Sequence, residues 1–140
     1  MTKAIAACEV EVEVPFFDVD LMEIVWHGHY LKYFEIARCV LLDKIDYGYM
    51  KMRESGYTWP IIDIRLRYAK PAKFGQKIIV HVEIVEWENR LKMNYQIMDK
   101  LTENRLVRGH TCQVAVDMSS EGMCYESPAI LWEKLGLIKP

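Results

Sequence analysis

The chain has 140 residues, enough for one domain with a single core, and its 51% hydrophobic and 27% charged content is that of a globular protein rather than a disordered one. A formal net charge of -2 gives no support to nucleic acid or an anionic membrane as a partner. Cys8, Cys39, Cys112 and Cys124 show no C-x-x-C spacing and read as reduced thiols of a cytoplasmic protein, with zinc binding a poor second. The apolar run at 4–8 is too short for a signal segment, and no stretch is expected to span a bilayer.

Residues 9–14 alternate acid and valine, which predicts a half-buried strand with Val10, Val12 and Val14 inward, ended by Pro15. A polar turn with Asp18 and Asp20 follows, then the apolar Ile24-Val25-Trp26 and the triplet His27-Gly28-His29. From Tyr30, the residues Tyr30, Phe34, Ala37, Leu41 and Ile45 recur at helical spacing, and Leu31, Tyr33, Val40 and Leu42 widen that face. Lys32, Glu35, Arg38 and Asp43 occupy the other side. So wide an apolar face suits a helix packed against a curved sheet. Tyr47-Gly48-Tyr49 closes it, and a short helical turn runs through Arg53 before Gly56.

After Pro60 the period changes to two. Ile62, Ile64, Leu66 and Tyr68 alternate with Asp63, Arg65 and Arg67 up to a turn at Pro71 and Gly75. Ile78, Val80, Val82 and Ile84 form the next strand, Glu88-Asn89-Arg90 a hairpin turn, and Leu91, Met93, Tyr95 and Ile97 its returning arm. A turn at 102–104 leads to a last strand at 105–118. Ser127-Pro128 reads as the N-cap and first residue of a short helix through Leu135, stopped by Gly136. The predicted fold is α+β, a single domain over 1–140 with a five-stranded antiparallel sheet curled around one long helix and a short C-terminal helix. The valine-rich edge predicts that another copy covers part of the sheet, as a homodimer or homotetramer.

The stretch 18–38 carries the chemistry. An acid close to the start of a helix is a loaded arrangement, because the first turn offers unpaired N–H groups and about half a positive charge. Such donors hold a developing oxyanion, and a carboxylate beside them acts as base or nucleophile on the same carbonyl. The bland readings are equally concrete. Asp18 and Asp20 cap turns. His27 and His29 form an H-x-H pair with no third ligand at an obvious spacing, so no metal is expected. His81 and His110 fall on sheet faces, and Arg65, Arg67 and Lys70 on a solvated strand face. Glu35 and Arg38 form a surface ion pair, while Trp26, Tyr30 and Trp59 belong to the core.

The run Asp18-x-Asp20, Ile24-Val25-Trp26-His27, Tyr30 and Phe34-Glu35-x-Ala37-Arg38 resembles the signature of hotdog-fold acyl-CoA thioesterases, in particular the 4-hydroxybenzoyl-CoA thioesterase family and its Tol-Pal-associated branch. The order of strands through Met118 extends the likeness over most of the chain. The resemblance implies hydrolysis of acyl-CoA to acid and CoA, with Asp20 as nucleophile or general base and the His27 backbone N–H polarising the carbonyl. The His27 side chain matches a histidine of the Tol-Pal branch that positions water or the acyl group. Tyr30, Glu35 and Trp59 fall near the acyl group, and Arg90 and Lys92, with Lys73 behind them, are the candidates for the CoA phosphates. The site is expected between two subunits, with no cofactor beyond the CoA of the substrate. One departure stands out: the family's glycine three residues after the acid is Glu23 here. The alternatives are a thioesterase acting on acyl carrier protein and a non-catalytic acyl-CoA binder.

Overall fold

The computed structural model describes residues 4–140. Its elements in order are β1 (Ala6–Glu13), 3-10 turns at Phe16–Asp18 and His27–His29, α1 (Tyr30–Lys44), α2 (Tyr49–Glu54), β2 (Tyr57–Thr58), β3 (Ile61–Tyr68), β4 (Lys77–Glu86), β5 (Leu91–Asp99), β6 (Arg105–Gln113), β7 (Val116–Asp117) and α3 (Ala129–Lys134). One antiparallel sheet runs β1-β4-β5-β6-β3, and β2 pairs with β7 in a separate ribbon. The expected hotdog architecture is present, five strands around one long helix.

Alternation made β4 and β5 the centre of the sheet. Ile78, Val80, Val82 and Ile84 face α1 together with Leu91, Met93, Tyr95 and Ile97, all buried. Each such side chain contributes about 1.5–3 kcal/mol by leaving water. The Phe34 ring of α1 stacks on Tyr95 at 4.3 Å with an interplanar angle of 5°. Gly109 on β6 makes room for it, since a Cβ there would come within 2.9 Å of the Phe34 ring and run into the Arg65 carbonyl. Tyr95 OH bonds Thr111 Oγ1 at 2.8 Å, so the buried phenol keeps a partner.

Three expectations change. The last strand does not run to Met118. It leaves the sheet after Gln113, because Pro60 has no N–H to continue the neighbouring ladder, and Val116–Asp117 instead follows Tyr57–Thr58. Ser127 is not the N-cap of the C-terminal helix. Its N–H bonds Glu88 O at 2.9 Å, which buries it against the β4–β5 turn and leaves Pro128 at the cap. Leu31 and Val40 do not widen the buried face of α1. They stand 37% and 43% exposed beside Ile36, because the sheet covers only one side of the helix.

Candidate active site

The stretch between β1 and α1 folds as a tight hairpin. Trp26 N–H donates to Asp18 O at 3.0 Å, Val19 bridges Val25, and Asp20 N–H donates to Ile24 O at 2.9 Å. Its turn closes with Glu23 N–H on Asp20 O at 2.9 Å, and Glu23 takes φ +63°. Aspartate suits the turn's first position because its side chain can accept from the backbone two residues on. Asp20 Oδ1 does so, accepting Met22 N–H at 2.8 Å. Oδ2 of Asp20 has no protein partner among the described residues.

Two further contacts fix the hairpin. Val25 N–H donates to Ala72 O at 2.9 Å, and Ile24 bridges Lys73. Asp18, 1% exposed, is held by the Lys32 ammonium and by Tyr33 OH at 2.6 Å, both from the start of α1. Burial pushes the Asp18 carboxyl up, but the hydrogen bonds from Lys32 and Tyr33 and the Lys32 charge outweigh it and hold the pKa below the ordinary value. Burial, reinforced by the bond to Asp18, pushes the Tyr33 phenol far up. Asp18 is therefore the structural acid of the pair, as its role in a turn suggested.

Asp20 lies on the first arm of this hairpin, and His27 directly follows the second. With Tyr30, Tyr68 and Pro71 they line a cleft of about 300 Å³. His27 opens the helical run, and its N–H has no protein acceptor among the described residues. Tyr68 OH donates to His27 O at 2.9 Å and so ties the end of β3 over the site. Tyr30 is 2% exposed and its hydroxyl accepts Ala72 N–H at 3.0 Å, so the ring serves as cleft wall while the polar end is engaged. The cleft wall thus holds a carboxylate with one unengaged oxygen and the residue that opens the helical run.

The remaining candidates lie elsewhere in the chain. Glu35 and Trp59 line a larger cleft of about 910 Å³ between α1, α2 and the β2–β3 segment, and Glu35 pairs with Arg38 at 3.0 Å. This cleft is the bigger one but lacks Asp20 and His27, which line the smaller. Lys73 is exposed just before β4, whereas Arg90 and Lys92 follow its other end. Ten residues of β4 keep these cations about 30 Å apart. Arg90 is also paired with Glu86 at 2.8 Å. Trp26 is not a core residue. It is 50% exposed and lies against the rings of His27 and His29, because the hairpin turns its side chain away from the sheet. Tyr68 and Lys32 escaped the sequence reading, which saw only an alternating strand position and a solvent-facing helix position. Their partners are 41 and 14 residues away, beyond any local pattern.

Sheet, central helix and acid-bearing hairpin define the class: this is a hotdog protein of the thioesterase type. The family profile of the Thioesterase-like superfamily matches residues 14–133, and the chain belongs to that superfamily. It is 29% identical over 111 residues to YneP of Bacillus subtilis (strain 168), provisionally named an acyl-CoA thioesterase, covering 79% of this chain and 80% of that one. Among solved structures, DHNA-CoA thioesterase from Staphylococcus aureus superposes with a TM-score of 0.77 at 22% identity, covering 85% of this chain and 80% of that one. A hypothetical protein from Thermus thermophilus superposes with a TM-score of 0.80 at 23% identity, covering 91% and 96% of the two chains.

Proposed function

We propose that the protein is an acyl-CoA thioesterase that cleaves the thioester of an acyl-CoA to a free carboxylic acid and CoA–SH. The observation that supports this reading is the cleft lined by both Asp20 and His27, the residue that opens the helical run. Membership of the superfamily and the name of the Bacillus subtilis relative point the same way.

In the general-base form, Asp20 Oδ2 takes a proton from water as the water oxygen bonds to the carbonyl carbon. The carbonyl oxygen gathers negative charge against the His27 N–H, and collapse breaks the C–S bond. The departing sulfur recovers the proton. In the nucleophilic form, an Asp20 oxygen bonds to the acyl carbon as the C–S bond breaks and CoA leaves as thiolate. Water then hydrolyses the resulting anhydride to the free acid and the Asp20 carboxylate, and its proton goes to the CoA sulfur. Single turnover in ¹⁸O water separates the two, because only the anhydride route places label in the Asp20 carboxylate. Removing an oxyanion donor of the His27 type costs about 10²–10³ in rate. Acyl-side contacts from Glu35 and Trp59 and phosphate contacts from Arg90, Lys92 and Lys73 complete the reading, with a second copy of the chain closing the site. Among the described residues no helix is long and apolar enough to cross a membrane. A cytoplasmic location is consistent with an acyl-CoA substrate and with four cysteines kept as free thiols.

The test is thiol release from a panel of short, long and aromatic acyl-CoAs, run beside Asp20→Asn. Turnover by the native protein should fall about 10²–10⁴-fold in the variant. Undiminished turnover in Asp20→Asn removes Asp20 from the mechanism. Acyl-CoA binding without turnover in the native protein replaces the enzyme with a binder.

A further inference from the structure

The face of the sheet turned away from α1 carries a second cluster of reactive side chains. On β6, His110 and Cys112 are two residues apart and share that face. On β3, a bulge between Ile61 and Asp63 resets the register, so that Asp63 falls opposite Cys112 and Arg65 opposite His110. Regular pairing onward from Ile61 and Gln113 would set Ile62 against Cys112 and turn Asp63 inward, toward Thr111. A bulge re-aims a side chain in this way. Its outcome is a carboxylate oxygen of Asp63, a ring nitrogen of His110 and the sulfur of Cys112 all within 4.8 Å of one another. Asp63 Oδ2 already lies 3.0 Å from His110 Nε2.

We propose that Asp63, His110 and Cys112 form a binding site for a zinc-class divalent ion, with a fourth position left for water or an added ligand. One thiolate, one imidazole and one carboxylate are the donors zinc accepts, whereas magnesium and calcium take oxygen alone. A tetrahedral zinc at ordinary bond lengths sets its ligand atoms about 3.2–3.8 Å apart. The His110–Asp63 spacing is close to that, and the Asp63 side chain, 58% exposed, is free to swing. The sulfur is fixed by burial, Cys112 being 1% exposed.

Burial pushes the Cys112 thiol up; Arg90 and Lys92 act against this, while Asp63 and Glu86 add to it, and Arg90 is paired with Glu86 at 2.8 Å. A thiolate at Cys112 would be a third anion beside Asp63 and Glu86, matching the three cations Arg90, Lys92 and, opposite His110, Arg65, so donor geometry rather than net charge selects the ion. Binding displaces the thiol proton, one proton released for each ion bound. The ion would clamp the β3 edge to β6 at the bulge. The ligands come from two strands 47 residues apart, which is why no spacing in the sequence announces them.

Metal-free full-length protein titrated with Co²⁺ tests the site. The expected result is one ion per chain, with a thiolate-to-cobalt charge-transfer band that zinc abolishes by displacement. Cys112→Ser should lose the band and weaken zinc binding by about 100-fold or more, and Asp63→Asn and His110→Ala by at least tenfold. Cys39→Ser, at the exposed thiol of α1, should keep both. Should Cys112→Ser fail to fold, the exposed Asp63→Asn decides alone. The proposal is overturned by a native protein that binds no cobalt, by a band that survives Cys112→Ser, or by unchanged zinc affinity in Asp63→Asn. None of these readouts depends on the thioesterase reading.

Discussion

Glu23 stands where the family resemblance expects glycine, and its backbone shows why glycine belongs there. With φ +63° it is the left-handed residue that lets a tight turn rejoin an antiparallel ladder. A residue with a Cβ is disfavoured there by about 1–2 kcal/mol. The side chain is exposed and absent from the Asp20 cleft, so the departure acts on the turn rather than by placing a charge against the acyl group. Glu23→Gly should therefore raise Tm by roughly 3–5 °C, at about 1 kcal/mol of relieved strain, and leave turnover within about twofold. A lower Tm in thermal unfolding would show that the turn carries no such strain. Asp20 settles another residue-scale question in an unexpected way. The turn-capping and catalytic readings do not compete, because the cap engages Oδ1 and the chemistry would use Oδ2.

At the scale of elements, the junction between hairpin and α1 decides whether Asp20 and His27 stay together. Asp18 is the buried peg, gripped by Lys32 and Tyr33. Its carboxyl pKa is held below the unfolded value of about 3.9, so this contribution is fully present above that pH and is lost as pH falls through the lower, folded pKa. Asp18→Asn should cost about 1–3 kcal/mol at neutral pH, toward the low end because the Lys32 side chain is 42% exposed and screened by solvent. The Tm curves of native protein and variant should converge below about pH 4. A constant gap down to acid would mean that the ionised form is not what holds the hairpin.

Elements built on one repeated contact were the legible ones in the sequence. The inward residues Ile78 to Ile84 of β4 and Leu91 to Ile97 of β5 share one core, so period two appears along both strands. The β2–β7 ribbon, the bulge at Asp63 and the burial of Ser127 depend on partners far along the chain, and local pattern is silent about those. Pro60 was the one local sign that the sheet would break. The hairpin was legible as a motif, through Asp18, Asp20 and Trp26. The ties that position it, Tyr68 on His27 and Lys32 on Asp18, were not.

On the scale of the whole molecule, one chain divides its candidate site. Asp20 and His27 lie at one end of the helix, Glu35 begins about 12 Å further along it, and Arg90 and Lys92 sit at the far end of β4. The edge at β1 is guarded by Glu9, Glu11 and Glu13, whereas the edge at β3 exposes Ile62, Ile64 and Tyr68. A second copy meeting the β3 edge would cover that apolar strip and supply the missing contacts from outside. Light scattering after gel filtration should then report an even-numbered oligomer, and Ile64→Lys should shift it to monomer and lower turnover together. Complementation makes the sharing of the site explicit. Asp20→Asn mixed with the double variant Arg90→Glu, Lys92→Glu forms half its dimers as heterodimers, each with one intact site. Such a mixture should recover about a quarter of native activity when each variant alone is inactive. No recovery after subunit exchange would mean that Asp20 draws its phosphate contacts from its own chain, across a distance the sheet keeps open.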